Sequence, residues 1–304
     1  MDNVQIMVML FAITVVGYAA CKLGYMSEEF DKRLSAIIVD ITCPALILSS
    51  VMGDRLPDQR LIVPLLTIST ITYILLTAVA VWLPRLLTKD ISVRGVMGFA
   101  IMFGNVGFIG YPIVAAVFGH EAIFYAAILN IPNTFFVFAV GKSLITGDGF
   151  KPKSLVRTLM CPGLLAAYAS IVIVVFRISG IPEIVSRPVS MLGAITVPGS
   201  LLIIGSSMAR LPLHNMLGNR QVYATALLRL VVVPVGFYFL FRAAGFAHFA
   251  TAINSIIIGM PVASYGTIFC LRYGHDTTFI TETTFITAIA SIATIPLLSM
   301  LVAA

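Results

Sequence analysis

Glycine and proline stand two positions apart inside two long apolar runs, at Gly110-Tyr111-Pro112 and again at Gly259-Met260-Pro261. Proline lacks the amide N–H that a helix uses, and its ring crowds the preceding turn, while glycine accepts an unwound backbone. A helix carrying both near its middle is expected to break there into two half-helices. The N-terminus of each second half then exposes unpaired N–H groups and a positive dipole end, which suit a bound anion. One such proline reads equally well as a plain kink. Two at matching positions point to a site.

Polar residues near these breaks are the candidate contacts. Asn105, in Gly104-Asn105-Val106-Gly107, precedes Pro112 by about two turns. Its amide can donate to a carboxylate or accept from a hydroxyl. Ser264, Tyr265 and Thr267 follow Pro261, and Asn130 and Asn133 bracket Pro132. For Asn130, Asn133 and Asn254, hydrogen bonding between helices is as good a reading as ligand contact. Three charged residues fall inside apolar runs: Asp40, Arg229 and Glu282. Intramembrane charge defaults to function, so these are the candidates for ion coupling, with Arg229 free to meet an anion or to pair with either acid. Glu282 also fits a helix N-terminus, where the dipole favours it.

The elements that must position these residues are membrane helices. The chain has 304 residues, of which 59% are hydrophobic and 11% charged, and its mean hydropathy is +1.03. Such a composition does not fit a soluble surface. Apolar windows fall at roughly 4–23, 34–53, 61–83, 95–118, 122–145, 161–179, 188–209, 220–241, 250–272 and 279–302, each near the ~20 residues of a span. None alternates as a barrel strand must, so the expected fold is all-helical with ten transmembrane helices. The first window lacks a basic leader and a small-residue cleavage site, and reads as a span. Four cysteines, Cys21, Cys43, Cys161 and Cys270, form no metal-ligand spacing and read as packing residues. No metal or cofactor is expected. The net charge of +6 is scattered between the apolar runs and does not suggest nucleic acid.

Counting Lys and Arg by connection gives thirteen in the odd-numbered loops against five in the even ones. This places the odd loops in the cytoplasm and both termini outside it. The chain also repeats. Thr42-Cys43-Pro44 and Arg55-Leu56-Pro57 recur as Thr196-Val197-Pro198 and Arg210-Leu211-Pro212, at offsets of 154 to 155. Gly110-Tyr111-Pro112 and Gly119-His120-Glu121 are echoed by Gly259-Met260-Pro261 and Gly274-His275-Asp276. Five spans per half is an odd number, so the second half must be inverted, as in many transporters. The expected organisation is a first five-helix repeat over 1–146, a cytoplasmic linker over 147–157 and a second repeat over 158–304.

Three segments resemble the auxin efflux carrier family: Gly104-Asn105-Val106-Gly107-Phe108-Ile109-Gly110-Tyr111-Pro112-Ile113, the Gly259-Met260-Pro261-Val262-Ala263 break, and the closing Ile295-Pro296-Leu297-Leu298. Leu34 to Ile47 is similar to the second span of that family. The resemblance covers essentially the whole chain. It implies a fold shared with bile-acid/sodium symporters, with spans one, two, six and seven as scaffold and the other six as a mobile domain. It also implies that Asn105 meets a substrate carboxylate. Two departures stand out: Gly266 replaces a second proline in the ninth span, and the central loop is short. Auxin is thus a poorer substrate expectation than a small dicarboxylate such as malate or malonate.

The expected function is secondary active transport of a small organic anion, with Asn105, Gly110, Pro112, Asn130, Pro261, Ser264 and Tyr265 around the substrate. Coupling to proton or sodium is left open, and so is a homodimer; lipid is the surrounding partner. The alternatives are a sodium-coupled symporter of bile-acid type and a channel or sensor. A membrane enzyme would have to rest on the two glycine-histidine-acid triplets, which read better as turns. The chain lacks a nucleotide-binding loop of the Gly-x-x-x-x-Gly-Lys-Ser/Thr kind. The expected location is the bacterial inner membrane.

Overall fold

At three of the prolines within apolar runs of this chain, the helix widens instead of stopping. In the computed structural model, which describes residues 3–53, 56–147, 159–210, 220–263 and 265–303, three wide π-helical turns each end two positions before a proline. Ile38–Thr42 precedes Pro44, Val106–Gly110 precedes Pro112, and Leu228–Val232 precedes Pro234. A proline ring clashes with the carbonyl four residues back, here that of Asp40, Phe108 or Leu230, and each of these lies within its π-turn. The extra residue in the turn moves that carbonyl aside, and the helix continues.

The described residues form helices, and their only strand-like feature is an isolated antiparallel bridge between Gly104 and Val262. In chain order the principal helices are α1 (Asn3–Lys22), α2 (Glu28–Ile37), α3 (Cys43–Ser49), α4 (Ile62–Leu87), α5 (Ile91–Met102), α6 (Tyr111–Phe118), α7 (Ala122–Phe136), α8 (Lys142–Thr146) and α9 (Pro162–Val175). Then come α10 (Glu183–Ala194), α11 (Thr196–Ala209), α12 (Arg220–Leu227), α13 (Val233–Ala243), α14 (His248–Ile258), α15 (Tyr265–Tyr273) and α16 (Thr278–Ala303). Among the described residues, five segments are long and apolar enough to cross a membrane: Gln59–Leu87, Ala122–Thr146, Glu183–Ala209, Arg220–Ala243 and Thr278–Val302. Shorter apolar helices accompany them.

The chain divides into two compact units that do not follow the halves of the sequence. The first contains Met1–Val63, Gly107–Ile128 and Met160–Pro212; the second contains Pro64–Val106, Leu129–Leu159 and Leu213–Ala304. Spans one, two, six and seven thus fall together, as the resemblance implies, but α6 and the start of α7 join them. Beyond Gly147, the expected linker lies outside the described residues.

In the first unit α1 packs along α11. A Cβ on Gly205 would stand 1.9 Å from the Thr14 carbonyl oxygen, so only glycine lets the two backbones approach this closely. Helix α3 packs between α9 and α10. At the end of this unit Arg210 forms an ion pair with Asp31, whose side chain is buried. The Ser27 hydroxyl caps α2 by accepting from the Phe30 N–H.

In the second unit α5 packs against α8 and α16, and α13 against α14. Aromatic rings fill the space around α5: Tyr73 stacks on Phe103 and Phe136, and Phe99 meets Phe103 and Phe269. Buried polar groups tie the helices: Asn254 donates to Thr72 at 3.1 Å, and Ser255 donates to the Pro234 carbonyl at 2.8 Å. Asn254 therefore does what its bland reading supposed, holding α14 to α4.

Candidate functional site

Two helix breaks in the second unit lie against each other. Helix α5 ends at Met102, and α14 ends at Ile258; the chain after each runs extended and antiparallel to the other. The Asn105 N–H donates to the Pro261 carbonyl at 2.8 Å, and the Ala263 N–H donates to the Phe103 carbonyl at 3.0 Å. The Val262 N–H donates to the Thr287 hydroxyl of α16 at 3.1 Å. These bonds replace the helical ones that both segments give up, so unwinding leaves few backbone groups unsatisfied in an apolar setting.

A fully buried arginine completes the arrangement. Arg229, on the π-turn before Pro234, donates through Nε to the Met260 carbonyl at 2.9 Å, and through Nη1 to the carbonyls of Ile101 and Met102 at 3.0 Å each. These carbonyls stand at the ends of α5 and α14, where the dipoles are negative and the last acceptors lack helical partners. Charge-assisted bonds of this kind contribute about 1.5–3 kcal/mol each. Nη2 has no partner and lies against Gly104, where a Cβ would sit 2.0 Å from it. Among the described residues Arg229 pairs with neither Asp40 nor Glu282. The carbonyl ends are thus neutralised by a cation, while the positive end of α15 and the N–H groups of the extended segments belong to the same crossover.

A profile of the membrane transport protein family matches residues 3–156 and 150–299, nearly the whole chain. The chain belongs to that family. It is the auxin efflux carrier family that the sequence resembles, and it makes this a multi-pass membrane protein of the transporter class. Similar proteins include uncharacterized transporters of Methanocaldococcus jannaschii, 24% identical over 98% of both chains, and of Methanothermobacter thermautotrophicus, 23% identical over 99% of this chain and 98% of the other. Membership in a transporter family agrees with the expectation of transport over catalysis.

The structure brings some of the expected site residues of this family member together. Asn105 and Pro261 meet at the crossover through the backbone; the Asn105 side chain is half-buried and Pro261 is buried. Tyr265 opens α15 with an exposed ring against Phe138 and Phe269. Asn130 accepts from the Asn133 amide at 2.8 Å, a bond within α7. Ser264 lies outside the described residues.

The expected break at Gly110 and Pro112 is corrected. Gly110 has helical angles, φ −64° and ψ −50°, and Pro112 sits in the first turn of α6, both buried in continuous helix. The π-turn over Val106–Gly110 absorbs the proline, and the real break comes earlier, at Phe103–Asn105. Asp40 is corrected as well: it is exposed on its π-turn and not a buried carboxylate. Glu282 is half-buried on α16. Sequence reasoning missed Thr287 and Thr72, whose only signal was hydroxyls inside apolar helices.

Proposed function

We propose that this protein is a secondary active transporter that moves a small organic anion, a carboxylate or dicarboxylate such as malate or malonate, by alternating access about the crossover. Its ten spans are read as two inverted five-helix repeats in a cytoplasmic membrane, with both termini outside. The observation that carries the reading is the pair of helix breaks held backbone to backbone with a buried guanidinium on their carbonyl side. Broken helices that meet inside a membrane protein are the usual setting for a transported ion, because backbone polar groups are then available without a lipid-exposed loop. Asn105 is the first substrate contact, its amide donating to a carboxylate; Pro261 fixes the second break, and Tyr265 lines the approach. Asn130 is a second-rank contact, because its oxygen already accepts from Asn133.

The test is uptake by purified protein in liposomes, with radiolabelled malonate, malate and a monocarboxylate in turn. A carrier gives saturable accumulation above the outside concentration and exchange of labelled for unlabelled anion. Flux that only runs down the gradient and never saturates would make the protein a channel and sink the proposal.

A further inference from the structure

We infer that Arg229 is the resident cation of the crossover: a guanidinium occupying the carbonyl-lined place where a metal ion could otherwise load, so that substrate binding is independent of sodium. Carbonyl ends of broken helices are where transporters of this general design coordinate a coupling cation. Here three such oxygens, from Ile101, Met102 and Met260, already accept from one side chain. They come from both breaks, so a single planar fork satisfies α5 and α14 together. Gly104 makes the fit possible, since any side chain there would meet Nη2.

The charge of this group is not cancelled. Arg229 is fully buried, no carboxylate among the described residues pairs with it, and Nη2 has no acceptor. The crossover therefore carries one fixed positive charge that a carboxylate substrate neutralises on arrival. A bound monocarboxylate needs no second cation to balance it. The substrate half of this inference rests on the carrier reading above; the claim about the carbonyl site does not.

The experiment compares sodium chloride with choline chloride at equal ionic strength, reading thermal stability of the purified protein and its affinity for a panel of carboxylates. Wild type is expected to show the same melting temperature in both salts and affinities within twofold. R229Q is expected to lose tenfold or more in carboxylate affinity and to be stabilised by millimolar methylguanidinium more than by tetramethylammonium. R229K, which keeps the charge, should retain affinity to within about tenfold. A sodium-specific rise in wild-type stability or affinity would overturn the inference, as would R229Q with wild-type affinity. If R229Q does not fold, the wild-type salt comparison and R229K still decide. If wild type binds no carboxylate at all, the carrier reading fails, while the melting temperatures continue to report on the carbonyl site.

Discussion

The hydroxyl of Thr196 donates to the hydroxyl of Thr42 across 2.9 Å, with both side chains buried. The two residues are 154 positions apart, the offset that relates Thr42-Cys43-Pro44 to Thr196-Val197-Pro198. A contact between counterpart residues is what a two-fold axis relating the proposed repeats would produce. Thr42→Val and Thr196→Val should each lower stability by about 1 kcal/mol, the usual net worth of a hydrogen bond, more if a hydroxyl is stranded. Their double variant should lose less than the sum, as partners in one contact do. Thermal unfolding of the four proteins in detergent measures the coupling; strict additivity would mean the hydroxyls do not depend on one another.

Asn105→Ala should weaken carboxylate binding about tenfold to hundredfold, the equivalent of losing about 1.5–3 kcal/mol of hydrogen bonding to a charged group. The variant should remain folded, because the Asn105 backbone bond to Pro261 is untouched. Asn105→Asp should bind more weakly still, with like charges facing. The two prolines should now separate: Pro261→Ala disturbs a real break and impairs transport, whereas Pro112→Ala lies in continuous helix and leaves transport near wild type. Titration of each variant with the best anion of the panel is the check, and affinity of Asn105→Ala within twofold of wild type would place the anion elsewhere.

Membrane orientation can be read with two exposed positions. Lys89 lies in an odd-numbered connection and Arg60 in an even-numbered one, and both are exposed. The charge asymmetry predicts that a cysteine at Lys89 reacts only with reagents admitted to the cytoplasm, and one at Arg60 only from outside. Labelling of both from one side would end the ten-span arrangement.

His120, in the turn between α6 and α7, contacts the Ser49 hydroxyl at 3.2 Å. Burial holds its imidazole below the ordinary 6.5, with the Ser49 hydrogen bond acting in the other direction. Well above that value the group is neutral in folded and unfolded chains alike, and its contribution to stability is complete. As pH falls below about 6.5 the unfolded chain takes the proton first, so stability drops until the lower folded value is reached. Wild type should therefore melt at a lower temperature at about pH 5.5 than at about pH 7.5, and His120→Gln should show a smaller difference. An equal difference in both proteins would assign the acid sensitivity to other groups.

Much of the fold was legible because lipid imposes simple rules. Apolar windows of one span each correspond to helical segments, and the break at Gly259-Met260-Pro261 stands where glycine and proline placed it. The other break was not legible. Gly104 permits the chain to unwind but does not by itself require it; the guanidinium that takes the Ile101 carbonyl comes from 128 positions away. Conversely, Pro112 looked like a breaker because proline rules count turns of 3.6 residues, and a wider turn evades them. Arg229 was visible as an intramembrane charge, but its partners are backbone oxygens, which no side-chain pattern records.

The π-turns have a consequence for how these helices meet their surroundings. Each is in effect a one-residue insertion, which advances the angular phase of everything after it by about 100°. A sequence stripe that faces one way before the turn faces about 100° away from it afterwards. Such a helix can lean on one neighbour along its first half and on another along its second. No single apolar stripe then runs its whole length, and a deletion of one residue inside the turn would reverse the slip, carrying the distal half of the helix onto the wrong partners.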